Sequence, residues 1–382
     1  MTKKILIIGP IVDFGGREVM TNLLFNSLKE NYCPLVFSTV NITKKSVALK
    51  GLKKNQWTAL PYLLYKYNFL VKLSSLLAKY LNKREEPVYF FVKNKVSKSF
   101  FDFKSVEIKI ISKFLIESDF VIYSDEISGK WLQTIVEVTK THNIPLLLRL
   151  TGQIKTVPSF LYKENINVLA HSNENVNLIK NHFTAKIWNI DQTSELEKEL
   201  LKLKIYENHK LVYGFLGRFS EEKGIKELLS VFEQNQKQLI LAGNGPLLDD
   251  VIDFINENEK CCYLGELMPR QLHIFFSRID VLVISSFEEG GPIVGVEAMA
   301  AGKLIISTKV GAMPERLEDT GNDFWFSHNT KINLDSAIRK VEELSQNERV
   351  VIRRKIRDKY INRNSLKVIQ NQYLNVIEKL IK

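Results

Sequence analysis

Two carboxylates eight positions apart, Glu289 and Glu297, bracket the run Gly290-Gly291-Pro292-Ile293-Val294. The apolar, β-branched stretch 280–284 before them reads as a buried strand, 285–292 as a loop, and 293–301 as a helix whose first turn suits the proline. At the carboxyl edge of a sheet such a loop aims free backbone N–H groups at an anion, and one helix end carries both acids. A second charged pair, Arg218 and Lys223, lies in GRFSEEKG, between a strand read at 211–216 and a helix read at 225–235. Cations fixed there stabilise negative charge that develops on a leaving group. The third place is Gly15-Gly16 ahead of Glu18. Paired glycines between a first strand at 5–8 and a helix at 18–31 let backbone approach a phosphate.

Two α/β frames are needed to position these groups. Residues 1–190 carry further strand signals at 35–38, 121–123, 146–150 and 167–170, with Asp119 and Pro145 punctuating repeated βαβ units. Residues 191–364 repeat the alternation. A strand at 239–242 runs into the tight turn Gly243-Asn244-Gly245-Pro246, and a strand at 261–264, ending on Leu264, precedes Gly265-Glu266. A last helix is read at 366–381.

Taken together, Glu289-Gly290-x-Pro292-x4-Glu297-Ala298-Met299-Ala300-x-Gly302 resembles the signature of retaining nucleotide-sugar glycosyltransferases of the GT-B fold, family four, the glycosyl transferases group 1. The resemblance implies an α/β protein with two Rossmann-like doubly wound domains facing a cleft and a C-terminal helix returning to the first domain. Residues 1–190, with 365–382 packing back on them, would then bind the acceptor, and 191–364 the nucleotide-sugar donor. It also implies that Glu289 contacts donor sugar hydroxyls and Glu297 ribose hydroxyls, a role that suits carboxylates because they accept paired hydrogen bonds from vicinal diols. Arg218 and Lys223 match the family's diphosphate cations, and Gly15, Gly16 and Glu18 match its Gly-Gly-x-Glu loop. The backbone of Gly290, Gly291, Pro292, Ile293 and Val294 would face the diphosphate, with Gly243, Gly245, Leu264 and Gly265 around the nucleotide. The segment Ile187-Trp188-Asn189-Ile190-Asp191 resembles the interdomain segment with one residue fewer.

The sequence departs from the pattern in three places. Ser285 and Leu304 stand where the family has prolines, both at positions that stiffen backbone. Many members place a histidine after the strand read at 146–150. Here Thr151-Gly152-Gln153 follows that strand, and Ser124-Asp125-Glu126 follows the preceding one. Asp125 is a candidate substitute base, although a loop aspartate also serves as a helix cap.

Composition narrows the remaining classes. The chain has 382 residues, 45% hydrophobic, enough for two or three domains with large cores. Cys33, Cys261 and Cys262 form neither a disulfide framework nor a zinc spacing, and read as small apolar residues in a reducing compartment. The apolar run in MTKKILIIGP is too short for a signal peptide, and no apolar stretch reaches the ~18 residues of a transmembrane helix. Residues 1–190 hold 27 Lys and Arg against 14 Asp and Glu, a surplus of 13, most of it between Lys44 and Lys113. There Trp57, Tyr62, Tyr65, Tyr67, Phe69 and Tyr80 interleave with lysines and a leucine stripe. Such a stretch either packs its leucines on the protein's own core or lies on an anionic membrane surface. No nucleic-acid recognition motif accompanies it.

The expected activity is transfer of a hexosyl or N-acetylhexosaminyl group, with retention, from a nucleotide sugar to a glycan or lipid-linked acceptor in bacterial capsule or polysaccharide biosynthesis. UDP is preferred to GDP as the carrier, no separate cofactor is needed, and the expected location is cytoplasmic, peripheral on the inner face of the cell membrane. No Asp-x-Asp stands at a strand end and the six histidines lack ligand spacing, so Arg218, Lys223 and helix starts take the place of a metal. Two alternatives share the fold: a non-catalytic scaffold, against which the retained Arg218, Lys223, Glu289 and Glu297 argue, and a sugar-nucleotide epimerase that works without an acceptor.

Overall fold

The computed structural model describes residues 2–206, 209–328 and 333–381. They divide into two compact units. Unit 1 comprises Met1–Ala170, Leu178–Ile190 and Gln370–Lys382, and unit 2 comprises His171–Asn177 and Asp191–Ile369. The short segment 171–177 thus clusters with unit 2, where the amide of Asn173 donates to Glu315 Oε1 at 2.8 Å, although it precedes the boundary read at 190.

Unit 1 is built on seven parallel strands: β1 Lys4–Gly9, β2 Cys33–Ser38, β3 Trp57–Ala59, β4 Phe120–Asp125, β5 Leu146–Leu150, β6 Asn167–Ala170 and β7 Ile187–Asn189. Their order is β3-β2-β1-β4-β5-β6-β7. The central strands are continuous apolar runs, and all six residues of β4 are buried, as a sheet covered by helices on both faces requires. The strand order reverses between β1 and β4, so the loops after these two strands open at the topological switch point. Gly9 ends β1 in a position that tolerates no side chain, since a Cβ there would lie 2.2 Å from the Ser124 carbonyl oxygen.

The first helix, α1 (Gly16–Leu28), begins two residues before the expected one and ends three sooner. The aromatic, basic stretch is not one helix. After β3 it forms α2 (Leu60–Tyr67) and α3 (Phe69–Asn82), broken at Asn68, whose extended backbone and side-chain Oδ1 cap α3 through the amides of Leu70 at 2.8 Å and Val71 at 3.2 Å. Two further helices, α4 (Lys95–Phe100) and α5 (Phe103–Ile116), lead into β4. The segment that resembles the interdomain stretch opens as strand β7, which pairs with β6, Ala170 opposite Asn189.

Unit 2 has six parallel strands, β8 Tyr213–Leu216, β9 Leu239–Ala242, β10 Cys261–Tyr263, β11 Val281–Ile284, β12 Leu304–Thr308 and β13 Trp325–Phe326, in the order β10-β9-β8-β11-β12-β13. Its switch point lies between β8 and β11, so the loops that carry Arg218, Lys223 and Glu289 leave neighbouring strands at the same edge. Helix α6 (Ile225–Asn235) packs on one face through Ile225, Leu228, Leu229 and Phe232. Helix α7 (Ile293–Ala300) is apolar almost all round and buried from Gly295 to Ala300. The last helix, α8 (Leu366–Ile381), starts in unit 2 and ends in unit 1. Within unit 1, Tyr373 is fully buried and accepts a hydrogen bond on its hydroxyl from Arg149 Nε at 3.0 Å, while Lys3 Nζ donates to the Ile381 carbonyl. Among the described residues no helix is long and apolar enough to cross a membrane.

Candidate functional site

The site of unit 2 is assembled from four loops at the carboxyl edge of its sheet. After β8, Gly217 to Lys223 descend through one 3-10 turn to Gly224, which begins α6 with φ +62°. A Cβ on Gly224 would lie 2.1 Å from the Ser285 carbonyl oxygen, so the loops after β8 and β11 cross at a contact that only glycine permits. Three hydrogen bonds clamp that crossing. Ser285 Oγ donates to the Lys223 carbonyl at 2.8 Å, the Phe287 amide donates to the Glu222 carbonyl at 2.9 Å, and Thr308 Oγ1 donates to the Ser286 carbonyl at 2.6 Å. The serine that departs from the family's proline therefore fixes the loop by a side-chain bond. His328 adds to the clamp, with Nε2 2.8 Å from the Ser285 carbonyl oxygen and its ring stacked on Phe287 at 4.0 Å.

The clamp sets the charged groups against one another. Lys223 Nζ is hydrogen-bonded and ion-paired to Glu289 Oε1, which also accepts from Ser286 Oγ at 3.2 Å. Both side chains remain partly open to solvent. Arg218 is exposed and makes no hydrogen bond or ion pair among the described residues. The site thus presents one available cation beside a cation–carboxylate pair that a ligand with an anion and hydroxyls would have to divide.

The adjoining side of the site is shaped by glycines. Gly243, after β9, has φ +140°, and a Cβ there would lie 1.8 Å from the Gly217 carbonyl oxygen. Its amide donates to the Gly265 carbonyl at 3.0 Å and its carbonyl accepts from Tyr263 Oη at 2.8 Å, while the Gly217 amide donates to Ala242 at 3.1 Å. A Cβ on Gly245 would meet the Phe219 carbonyl oxygen at 2.3 Å. Leu264, just past β10, donates its amide to the Leu241 carbonyl at 2.9 Å, and the space beside Gly265 is open for 4 Å. These contacts bring the loops after β8, β9 and β10 into one continuous rim.

At the far end of the rim, Pro292 caps α7, whose first amides, at Ile293 and Val294, are the unpaired donors of any helix start. Gly290 and Gly291 run close to Gly311, where a Cβ would lie 2.5 Å from the Gly290 carbonyl carbon. Glu297 occupies the fifth position of α7. It is only 6% exposed, its carboxylate accepts no hydrogen bond among the described residues, and burial together with the nearby Glu195 charge pushes that carboxyl up to about 8. A buried acceptor left without donors is costly and is suited to hydroxyls delivered by a ligand.

One supporting residue escapes a reading of motifs. Arg316, 2% exposed, forms a two-pronged pair with Asp191 (Nε to Oδ2 2.9 Å, Nη2 to Oδ1 2.6 Å) and donates Nη1 to the Pro292 carbonyl at 2.7 Å. Asn364 Nδ2 donates to the same carboxylate at 2.8 Å. Burial alone would raise the Asp191 carboxyl, but the Arg316 charge and these donors hold it below its ordinary value. The start of α7 is thereby fixed by residues 125 positions apart, and neither Met-Pro-Glu-Arg nor Ile-Asp carries a signal of it.

In unit 1, Gly15 has φ +146° ahead of α1, and Glu18 turns back so that its Oε1 accepts from the Val12 amide at 3.0 Å. The Glu18 carboxylate therefore closes the loop of Gly15 and Gly16 on itself. Asp125 is not on a free loop. It ends β4, is 7% exposed, and accepts from Tyr123 Oη at 2.6 Å and the Glu126 amide at 2.8 Å, with Arg17 at 3.7 Å. Burial raises its carboxyl, opposed by those donors and by Arg17.

Comparison with known proteins agrees with this geometry. Residues 197–361 match the model of the family described as glycosyl transferases group 1. An uncharacterized glycosyltransferase of Methanocaldococcus jannaschii is 27% identical over 183 residues, 45% of this chain and 46% of the relative. The lipopolysaccharide 1,2-N-acetylglucosaminetransferase of Salmonella typhimurium is 29% identical over 160 residues, 38% of this chain and 41% of the relative. The match spans less than half the length of each of these relatives. The crystal structure of Anabaena HepE in complex with UDP and glucose superposes with a TM-score of 0.67 over 99% of this chain and 100% of that one, at 15% identity, a likeness of fold. Residues 197–361 thus resemble the glycosyl transferases group 1 family, and the two Rossmann-like parallel-sheet units share the fold of GT-B type.

Proposed function

We propose that the protein is a retaining, metal-independent glycosyltransferase that moves a sugar from a nucleotide-sugar donor, UDP-linked in preference to GDP-linked, to a lipid-linked or polysaccharide acceptor in bacterial cell-surface glycan synthesis. The observation that carries the reading is the Lys223–Glu289 pair, held between two glycine-crossed loops with Arg218 free beside it. In this reading the diphosphate lies against Arg218, Lys223 and the first amides of α7, which neutralise the charge released as the glycosidic bond breaks. Glu289 is then free to accept hydrogen bonds from the sugar, and Glu297 accepts from the ribose. The departing phosphate oxygen takes the proton of the acceptor hydroxyl as the new bond forms on the same face of the sugar. Asp125, with its carboxylate engaged by Tyr123, Glu126 and Arg17, holds the mouth of unit 1 in shape more readily than it removes that proton.

The names of the relatives support a glycan product, and the bound UDP of the HepE structure supports the carrier. Unit 1 is the acceptor side, and its basic 44–113 region the side that meets an anionic membrane. The test is a thermal-shift panel with UDP, GDP and ADP. A ligand at about a hundred times its Kd adds about 2.7 kcal/mol to the folded state. A shift with UDP alone supports the reading. The absence of a shift with any nucleotide refutes it.

A further inference from the structure

Helix α3 carries an exposed apolar face that the protein does not cover. Only Val71 and Ser75 of its fourteen residues are buried, on the side that packs toward α2 and α4. Phe69 is 74% exposed, Tyr80 80%, Leu81 68%, and Leu70, Leu73 and Leu77 each more than half. At 3.6 residues per turn, these residues and Leu76 fill one continuous arc of ~140°, Lys72 and Lys79 line one edge of it, and Lys83 follows at the C-cap. Arg84 follows, and no acidic residue occurs from Phe69 to Arg84. The neighbouring α4 exposes Val96 and Phe100 beside Lys95 and Lys98. A leucine stripe ordinarily faces a core, and here it faces outward.

We infer that the exposed face of α3 is a membrane-docking element that lies in the interface of an anionic bilayer, with its leucines and aromatics among the acyl chains and its lysines at the lipid phosphates. Charge complementarity selects this occupant over a second copy of the chain. A second copy would present the same face, with lysines and no acidic residue from Phe69 to Arg84 to pair with them, whereas anionic headgroups neutralise them, with Phe69 and Tyr80 at the depth aromatic side chains favour. The inference rests on the lipid-side acceptor proposed above and narrows the 44–113 region to one helix face.

The experiment is co-sedimentation of the full chain with phosphatidylglycerol and with phosphatidylcholine vesicles, for wild type, the double variant Leu73→Asp with Leu77→Asp, and the double variant Lys72→Ser with Lys79→Ser. None of the four side chains is buried, so each variant should melt like wild type, and UDP-induced stabilisation, which reads the donor site and not α3, should be unchanged. Wild type should bind phosphatidylglycerol, the leucine variant about thirty-fold or more weakly, and the lysine variant more weakly on phosphatidylglycerol with no change on phosphatidylcholine. Wild type that ignores phosphatidylglycerol while UDP still stabilises it overturns the docking element and leaves the donor site standing. Equal binding by the leucine variant also overturns it. Self-association of wild type that the leucine variant abolishes assigns the face to a second copy instead.

Discussion

Replacing Glu297 by Gln should strengthen the fold while weakening the site. The carboxyl of Glu297 titrates near 8 in the folded chain against 4.5 for an ordinary glutamate. Below pH ~4.5 both folded and unfolded states hold the proton and the group costs nothing. Between there and pH 8 the unfolded chain ionises while the folded one stays protonated, so stability falls by about 1.4 kcal/mol per pH unit. The loss is about 3 kcal/mol by pH 7 and approaches about 5 kcal/mol above pH 8. Glutamine has the same shape and no charge to lose. In urea unfolding, the Glu297→Gln protein should match wild type at pH 4.5, exceed it by about 3 kcal/mol at pH 7, and exceed it further at pH 9. Its affinity for UDP should meanwhile fall by about ten-fold or more, because an amide offers one acceptor where a ribose diol needs two and the charge-assisted bonds are lost. Wild type should release close to one proton per nucleotide bound at pH 7, measurable by titration calorimetry in buffers of different ionisation enthalpy, and the variant none. A variant whose stability tracks wild type at every pH, or which binds UDP equally well, would refute the assignment of Glu297 as a strained acceptor kept for the ligand.

Three further outcomes follow from contacts already given. Lys223→Ala and Glu289→Ala should each lower turnover by at least about a hundred-fold with a nearly unchanged melting temperature, since the pair is partly exposed and contributes only about 1 kcal/mol to the fold; full turnover in both variants would remove these residues from the site. Gly243→Ala forces a Cβ to within 1.8 Å of the Gly217 carbonyl oxygen, so it should cost more than about 2 kcal/mol and abolish nucleotide-induced stabilisation, and a melting curve identical to wild type would contradict the crossing. Arg316→Leu strands the half-buried Asp191 carboxylate and should cost about 2–3 kcal/mol at pH 7. Because the folded-state value of Asp191 is depressed, that cost should shrink as pH falls through the carboxylate range, and a pH-independent loss would mean that packing rather than charge is what Arg316 supplies.

The strand, loop and helix around Glu289 were legible because their signals are local: a β-branched run, paired glycines and a proline that suits a helix start. The same holds for the turns at Gly217 to Gly224 and Gly243 to Gly245. What a linear reading could not supply is the partner of each face. The leucine period through Leu70, Leu73 and Leu77 marks a face without saying what lies against it, and the period runs across Asn68, hiding the cap that splits the stretch in two. Glu297 reads as a surface helix acid when taken alone. Its burial follows from the apolar residues around it, Val294, Val296, Ala298 and Met299, which leave α7 no polar side. The pairing of Arg316 with Asp191 spans 125 residues and has no local trace. Strands β7 and β13 have three and two residues, too short for an alternation to register.

The division of helix α8 between the two units has a consequence for how the chain is made. Residues 370–382 belong to unit 1, yet they are synthesised after the whole of unit 2. Until they appear, Arg149 is held at the end of β5 without the Tyr373 hydroxyl, and the surface that receives Val376 and Ile377 stays bare. Unit 2, from Asp191 to Ile369, needs only the short piece 171–177 from earlier in the chain. On a ribosome the first half to be translated is therefore the last to be finished, and through that interval the unit with the greater apolar and basic exposure is the one left incomplete.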